Sequence, residues 1–365
     1  MRESLQSLIL LIAFFSGAFV MSLLINSFFL KFANTLGIRN KNDVTIRWSA
    51  KSKPSLGGIS FYFTFLIGFM FYAIIYGESD VFLNKNLLGL FFSVTLAFLL
   101  GLSDDAYNTR PLLKLLIQII CGVILVLTGS EIQLFNITIL NSILTVIWVV
   151  GIMNSINMLD NMDGITTITA ICIIVSMIGI SIPFEIVNNV DIFLLIITLG
   201  ALGGFFVFNF PPAKMFMGDT GSQFLGMFLA YFSIKHLWNN EIDTGDYSIF
   251  SNLTLVATVF AVPIIDTAIV TINRILRGQS PMIGGKDHTT HHLVYKGFTE
   301  KQVTLTFLVL GMMSILISFV LKKYIPIQSL FIIAIWLFFI FIFILFFSLS
   351  RKQEKLVNSK KQDED

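Results

Sequence analysis

Four polar clusters interrupt an otherwise apolar chain, and their residue types are those that handle phosphate and divalent cations. Asn154 to Gly164 reads Asn-Ser-Ile-Asn-Met-Leu-Asp-Asn-Met-Asp-Gly and lies between two long apolar runs. Asn154, Asn157, Asp160 and Asp163 recur every third residue. A helix would put them on one face, with Asn161 beside Asp160 and with Met158, Leu159 and Met162 turned away. Acids at the end of a membrane-length segment are costly and tend to be functional. A second cluster is Asp104-Asp105, preceded by Gly101-Leu-Ser and followed by Arg110 and Lys114. A third runs from Asn209 to Ser222 and closes on Gly218-Asp-Thr-Gly-Ser222. The fourth, Gly284 to His292, holds three of the four histidines, and one helical turn would bring His288, His291 and His292 to a common side.

Gathered at one site, Asp104, Asp105, Asp160, Asp163 and Asp219 would repel one another. A divalent cation makes such a set tolerable. All-oxygen ligands suit Mg²⁺, with Mn²⁺ as a substitute, and do not suggest zinc; Mg²⁺ is commonly completed by substrate phosphates. The glycines around Asp219 let backbone approach a ligand, and the start of a helix favours anions. Lys114, Arg110 and the histidines can neutralise phosphate. The conjunction points to phosphoryl transfer at a membrane surface. Taken singly, each cluster has a plainer reading. Asp104-Asp105 could be an interfacial pair balanced by Arg110. Gly-Asp-Thr-Gly-Ser is a common cap or turn. The histidines could be a metal tract or a polar loop, and most of the lysines and arginines only set topology.

The elements that must position these residues are membrane spans. The chain is 55% hydrophobic and only 13% charged, with 38 phenylalanines, far from the composition of a soluble domain. Cys121 and Cys172 both lie in apolar runs and read as small core hydrophobes. About eleven transmembrane helices are expected, near 5–30, 56–76, 87–102, 112–128, 139–156, 165–183, 191–210, 222–238, 251–272, 303–321 and 325–349, with Pro263 bending the ninth. The run after Arg2 is too long for a signal-peptide core and reads as an uncleaved first span. Most of the 24 lysines and arginines fall on one side: Lys31 to Lys53, Arg110, Lys114, Lys214, Arg274 to Lys301, and the tail. By the positive-inside rule that side is cytoplasmic, so the N-terminus is outside and the C-terminus inside. The opposite loops carry Glu78, Asp80, Glu131, Glu185, Asp191, Glu241, Asp243 and Asp246. All four clusters fall on the basic side. The reading is an all-α polytopic integral membrane protein. Residues 1–350 form a single catalytic domain, and 351–365 form a polar tail expected to be disordered.

These motifs resemble the polyprenyl-phosphate N-acetylhexosamine-1-phosphate transferases, relatives of the phospho-MurNAc-pentapeptide translocases. The resemblance spans nearly the whole chain through Pro54-Ser-Leu-Gly-Gly58, Gly101-Leu-Ser-Asp-Asp105, Asn154 to Gly164, Asn209 to Ser222, and His288 to His292. It implies transfer of GlcNAc-1-phosphate from a UDP-sugar to undecaprenyl phosphate with loss of UMP, at the cytoplasmic face of a bacterial inner membrane. It also implies roles. Asp163 and Asp219 would hold Mg²⁺. Asp104 or Asp105 would orient or deprotonate the lipid phosphate, and Lys114 would contact phosphate. Phe216 would stack on uracil, with Asn157, Asp160, Asn209 and Lys53 also at the substrate. His288, His291 and His292 would bind phosphate or sugar. Two features depart from the family pattern. The histidines are spaced His-Thr-Thr-His-His instead of His-x-His-His, and the first basic loop has Lys51 and Lys53 where some relatives have a histidine.

The partners that follow are a UDP-N-acetylhexosamine, undecaprenyl phosphate and the bilayer, with no nucleic acid. A homodimer is compatible with the reading, although a Phe-rich belt does not argue for one, because lipid covers it. The alternatives are a pentapeptide-type or other UDP-sugar specificity, an intramembrane aromatic prenyltransferase, and an ion-coupled transporter. The prenyltransferase leaves Gly-Asp-Thr-Gly-Ser and the histidines unexplained. A transporter would place its acids mid-span.

Overall fold

Apolar runs this long can satisfy their backbone inside lipid only as helices, and helices are what they form. The computed structural model describes residues 2–32, 53–75, 84–181, 190–240, 248–280, 285, 287–324 and 329–362. In chain order the helices are α1 (Arg2–Phe32), α2 (Gly57–Ile75), α3 (Lys85–Tyr107), α4 (Pro111–Leu127), α5 (Thr138–Leu159) and α6 (Ile165–Ser181). Then come α7 (Val190–Asn209), α8 (Gly218–Ser233), α9 (Ser248–Val259), α10 (Ala261–Leu276), α11 (Thr289–Tyr295), α12 (Glu300–Tyr324) and α13 (Ser329–Gln362). No strand occurs among the described residues. Among the described residues ten of the eleven expected spans lie mainly on one helix each, the eighth running on into a π-helical turn, and the ninth lies on two. By length and apolarity, seven helices among the described residues can cross a membrane, or up to eight if the bent pair α9–α10 is one span. The protein is a multi-pass membrane protein.

The ninth span is indeed broken. α9 and α10 meet at an angle of 80° around Phe260. Pro263 lacks an amide hydrogen for the Val259 carbonyl, so the ladder is interrupted there and Pro263 sits in the first turn of a new helix, where proline is tolerated. α13 runs on through Arg351 to Gln362. Arg, Lys, Gln, Glu and Leu in that stretch are good helix formers attached to a helix already nucleated. Several expected features lie outside the described residues: Arg39, Lys41, Arg47 and Lys51 of the first basic loop, Lys286, and the acids Glu78, Asp80, Glu185, Glu241, Asp243 and Asp246.

α8 is the axis of the bundle. All of its residues except Asp219 are buried, and α2, α3, α5 and α6 pack around it. Phe224 and Phe228 meet Phe65 edge-on at 5.7 and 6.0 Å between ring centroids. α1 lies along α7, and α12 along α6. Within the core, Gln118 of α4 bridges Asn154 of α5 and Gln223 of α8. This core fixes where the first turn of α8 stands, and the polar clusters collect around that turn.

Candidate active site

Gly218 opens α8 at φ +75°, a left-handed conformation that glycine enters at little cost. A Cβ there would lie 2.6 Å from Asp105 Oδ2 and 2.8 Å from the Ser55 carbonyl. Asp105, in the last turn of α3, accepts from Thr220 N at 2.8 Å and Thr220 Oγ1 at 2.7 Å, so a side chain from another helix caps α8. Asp104 beside it is 3% exposed. It accepts from Thr109 N at 2.8 Å and Thr109 Oγ1 at 2.9 Å, and pairs with Lys114 at the start of α4. Lys114 Nζ also stands 3.6 Å from Asp219 Oδ2. Asn157 donates to Asp219 Oδ1 at 3.1 Å and to Ser222 Oγ at 2.8 Å. Three carboxylates and one lysine thus surround the positive end of a buried helix, and Asp219 retains 31% side-chain exposure.

Asp163 belongs to a second group. Lys53 Nζ lies 3.1 Å from Asp163 Oδ2 and 4.9 Å from the centroid of the Phe216 ring. Ala213 N donates to the same Asp163 oxygen at 2.7 Å. The Lys53 loop is held to the Phe216 strand of chain by backbone bonds: Phe216 N to Pro54 O at 2.9 Å, Gly57 N to Phe216 O at 3.1 Å and Gly58 N to Met217 O at 2.9 Å. Asn209 accepts from Gly164 N at 3.1 Å and Thr167 Oγ1 at 2.7 Å, and donates to Met215 O at 3.1 Å. At 3% exposure, it stitches two walls of the site together instead of facing a ligand.

The histidine loop is anchored residue by residue. Asp287 is clamped by Arg274 Nη2 at 2.7 Å and Arg277 Nη2 at 2.5 Å. Burial raises this carboxyl, but the two guanidinium groups outweigh burial and hold it at about 2. His288 Nδ1 is 2.9 Å from Asp266 Oδ2, and Asp266 Oδ1 accepts from Thr289 N at 2.9 Å and Thr289 Oγ1 at 2.6 Å. Thr290 Oγ1 donates to Asn161 Oδ1 at 2.6 Å, which joins the loop to the turn after α5. His291 is 1% exposed, and burial, then the neighbouring His288, hold it down to about 3.

The Asn/Asp stripe also needs correction. α5 stops at Leu159; Asp160 caps it, its N–H 3.3 Å from the Asn157 carbonyl, and Gly164 at φ +77° turns the chain. Asn157 therefore stands on the helix while Asp163 lies beyond it, and Asn154 turns to Gln118. Asp163 and Asp219, expected to share a metal, have different partners. Among the described residues no three His, Cys, Asp or Glu side chains converge to hold a metal on protein ligands alone. Mg²⁺, however, binds through one or two carboxylates plus substrate phosphate and water. The half-exposed Asp219, with Asp104 and Asp105 adjoining it, fits that pattern; Asp163, already bonded to Lys53 and Ala213, fits it less well. Asp266 and the Arg274–Asp287–Arg277 clamp were missed from sequence. The signal for Asp266 was available, as an acid inside an apolar run.

The family model for glycosyl transferase family 4 matches residues 87–236, from α3 through the π-helical turn after α8. A probable undecaprenyl-phosphate N-acetylglucosaminyl 1-phosphate transferase of Bacillus subtilis is 27% identical over 325 residues, 85% of this chain and 83% of its own. A phospho-N-acetylmuramoyl-pentapeptide-transferase of Streptococcus agalactiae is 32% identical over 243 residues, 60% of this chain and 70% of its own. A decaprenyl-phosphate N-acetylglucosaminephosphotransferase of Mycolicibacterium smegmatis is 32% identical over 114 residues, 30% of this chain and 28% of its own.

Proposed function

Since the chain belongs to glycosyl transferase family 4, we propose that it transfers N-acetylglucosamine 1-phosphate from UDP-N-acetylglucosamine to undecaprenyl phosphate. UMP is released, and the product starts a cell-envelope polysaccharide. The observation that carries this reading is the pairing of two adjacent subsites. Asp104, Lys114 and Asp219 at the start of α8 suit a pyrophosphate, and Lys53, Phe216 and Asp163 suit a nucleobase. The Bacillus subtilis relative, aligned over most of both chains, is named for this sugar phosphate and this lipid.

An oxygen of the lipid phosphate attacks the phosphorus attached to the sugar, the bond from that phosphorus to the UMP oxygen breaks, and its electron pair leaves with UMP. The chief obstacle is bringing two anions together, so positioning and electrostatics do most of the catalysis. Lys114, oriented by Asp104, and the amides of α8 offset phosphate charge. Asp219 would hold Mg²⁺, or Mn²⁺ in its place, and the bound cation would further neutralise the pyrophosphate. Asp105 acts through Thr220, setting the turn that presents Asp219. The lipid phosphate is ionised at neutral pH, so neither Asp104 nor Asp105 has to take a proton. Phe216 stacks on uracil, a contact that contributes about 1–3 kcal/mol per base. Asn157 and Asp160 line the same cleft.

The test is UMP release by purified protein with Mg²⁺ and undecaprenyl phosphate, offering UDP-GlcNAc, UDP-GalNAc and UDP-MurNAc-pentapeptide separately. UDP-GlcNAc alone is expected to yield UMP, with the signal lost in EDTA and restored by added Mg²⁺. Product from the pentapeptide donor alone would favour the second reading, which the Streptococcus agalactiae relative supports. Folded protein that turns over no donor would overturn the reaction.

The basic end, and the site with it, faces the cytoplasm of a bacterial inner membrane. A reporter fused after Asp365 should read cytoplasmic, and one inserted at Asp243 external. The opposite pair of readings would reverse the orientation.

A further inference from the structure

Asp266 lies within the apolar helix α10 and is 1% exposed. Its surroundings are those of a membrane interior: Ala261, Val262, Ile265, Phe307 and Phe346 line a cavity with it between α10, α12 and α13. A carboxylate in such a place has to be explained by its partners. Its hydrogen bonds come from one short segment, two from Thr289 to Oδ1 and one from His288 Nδ1 to Oδ2.

Those bonds do different work. The pair from Thr289 fixes the backbone at the start of α11. Asp287 and Thr290 on either side are tied independently, to Arg274 with Arg277 and to Asn161. The loop is therefore held without the imidazole. The His288 bond adds little to that hold, but it decides which ring nitrogen carries hydrogen and where the ring points.

We propose that Asp266 is a positioning residue for the transfer: it accepts Nδ1–H from His288 and so fixes the ring, leaving the lone pair of Nε2 for the bound donor. With Nδ1–H given to the carboxylate, Nε2 keeps its lone pair and accepts a hydrogen bond from a hydroxyl or amide N–H of the donor sugar. No proton needs to be transferred. This rests on the reaction proposed above.

The test uses the full-length protein in detergent with its active donor, comparing Asp266→Asn, Asp266→Glu, Thr289→Val, His288→Ala and the Asp266→Asn/His288→Ala double variant. Asp266→Asn should lower kcat by about 10- to 100-fold with little change in KM. Asp266→Glu should restore part of the rate. Thr289→Val, which also removes a bond to Asp266, should lower kcat far less. In the His288→Ala background, Asp266→Asn should cost less than about 2-fold more, because the two act as one unit. Equal losses from Asp266→Asn with and without His288 would overturn the proposal, as would an unchanged kcat. A readout that needs no turnover separates this from failure of the reaction itself. The ¹⁵N resonances of His288, assigned by comparison with His288→Ala, should show the Nδ1–H tautomer in the unmodified protein and lose that preference in Asp266→Asn. An Nε2–H tautomer in the unmodified protein would overturn the proposal whatever the reaction.

Discussion

Asp219→Asn should cut UMP release by about 10³-fold or more while leaving folded protein in the membrane. Asparagine has nearly the same volume and can still take the Asn157 hydrogen bond at Oδ1, so the packing of α8 is preserved. What is lost is a partly exposed acid able to carry negative charge at the mouth of the helix. That charge is the group best placed to hold a cation against the substrate pyrophosphate, because Asp104 is buried against Lys114 and Asp105 is bonded to Thr220. Without it the site has amide dipoles and Lys114 to offset two incoming anions, and Lys114 stays committed to Asp104. Size-exclusion behaviour and circular dichroism in detergent would establish that the variant is folded; titrating Mg²⁺ in the assay would show whether the loss reflects metal affinity. A folded Asp219→Asn protein with ordinary turnover would remove Asp219 from the metal site.

Asp163→Asn is the informative contrast. The sequence presents Asp163 and Asp219 as equivalent, because both are acids next to glycine at the end of an apolar run. The structure makes them different by their partners: a lysine on an aromatic ring for one, an asparagine and a helix terminus for the other. That distinction was not legible beforehand, since Lys53 is 110 residues from Asp163 and Phe216 another 53 beyond. What was legible followed from local chemistry. Apolar runs of bilayer length had to be helices, and the clusters at their basic ends did converge. The stripe from Asn154 to Asp163 was misread for an equally local reason. A period of three describes a face only while the helix lasts, and Asp160, Asn161 and Gly164 are residues that end helices. Asp266 was passed over because one acid in a span looks like noise until His288 is seen against it.

Gly58→Ala should abolish most activity and destabilise the protein without touching any charged group. A Cβ on Gly58 would stand 2.1 Å from Gly221 N and 2.3 Å from Gly221 Cα, and one on Gly101 would stand 2.2 Å from the Asp219 carbonyl. The first turn of α8 is thus gripped between glycines of α2 and α3, the close backbone approach that small residues permit in membrane bundles. The obstructing atoms are backbone, so no rotamer change relieves the clash, and α2 must move off α8. Overpacking of this kind costs about 1–3 kcal/mol. The functional cost is larger, because α2 also carries the Lys53–Gly57 loop bonded to Phe216, and misplacing a site by about 1 Å can cost about 10²-fold in rate. Gly17→Ala in α1 supplies the control: a Cβ there meets nothing within 4 Å, and alanine suits a helix better than glycine. Thermal unfolding in detergent and UMP release, measured side by side, should separate the two variants widely. If Gly58→Ala melts and turns over like Gly17→Ala, the contact between α2 and α8 is looser than these distances, and the placement of Asp219 relative to Phe216 has to be set by something else.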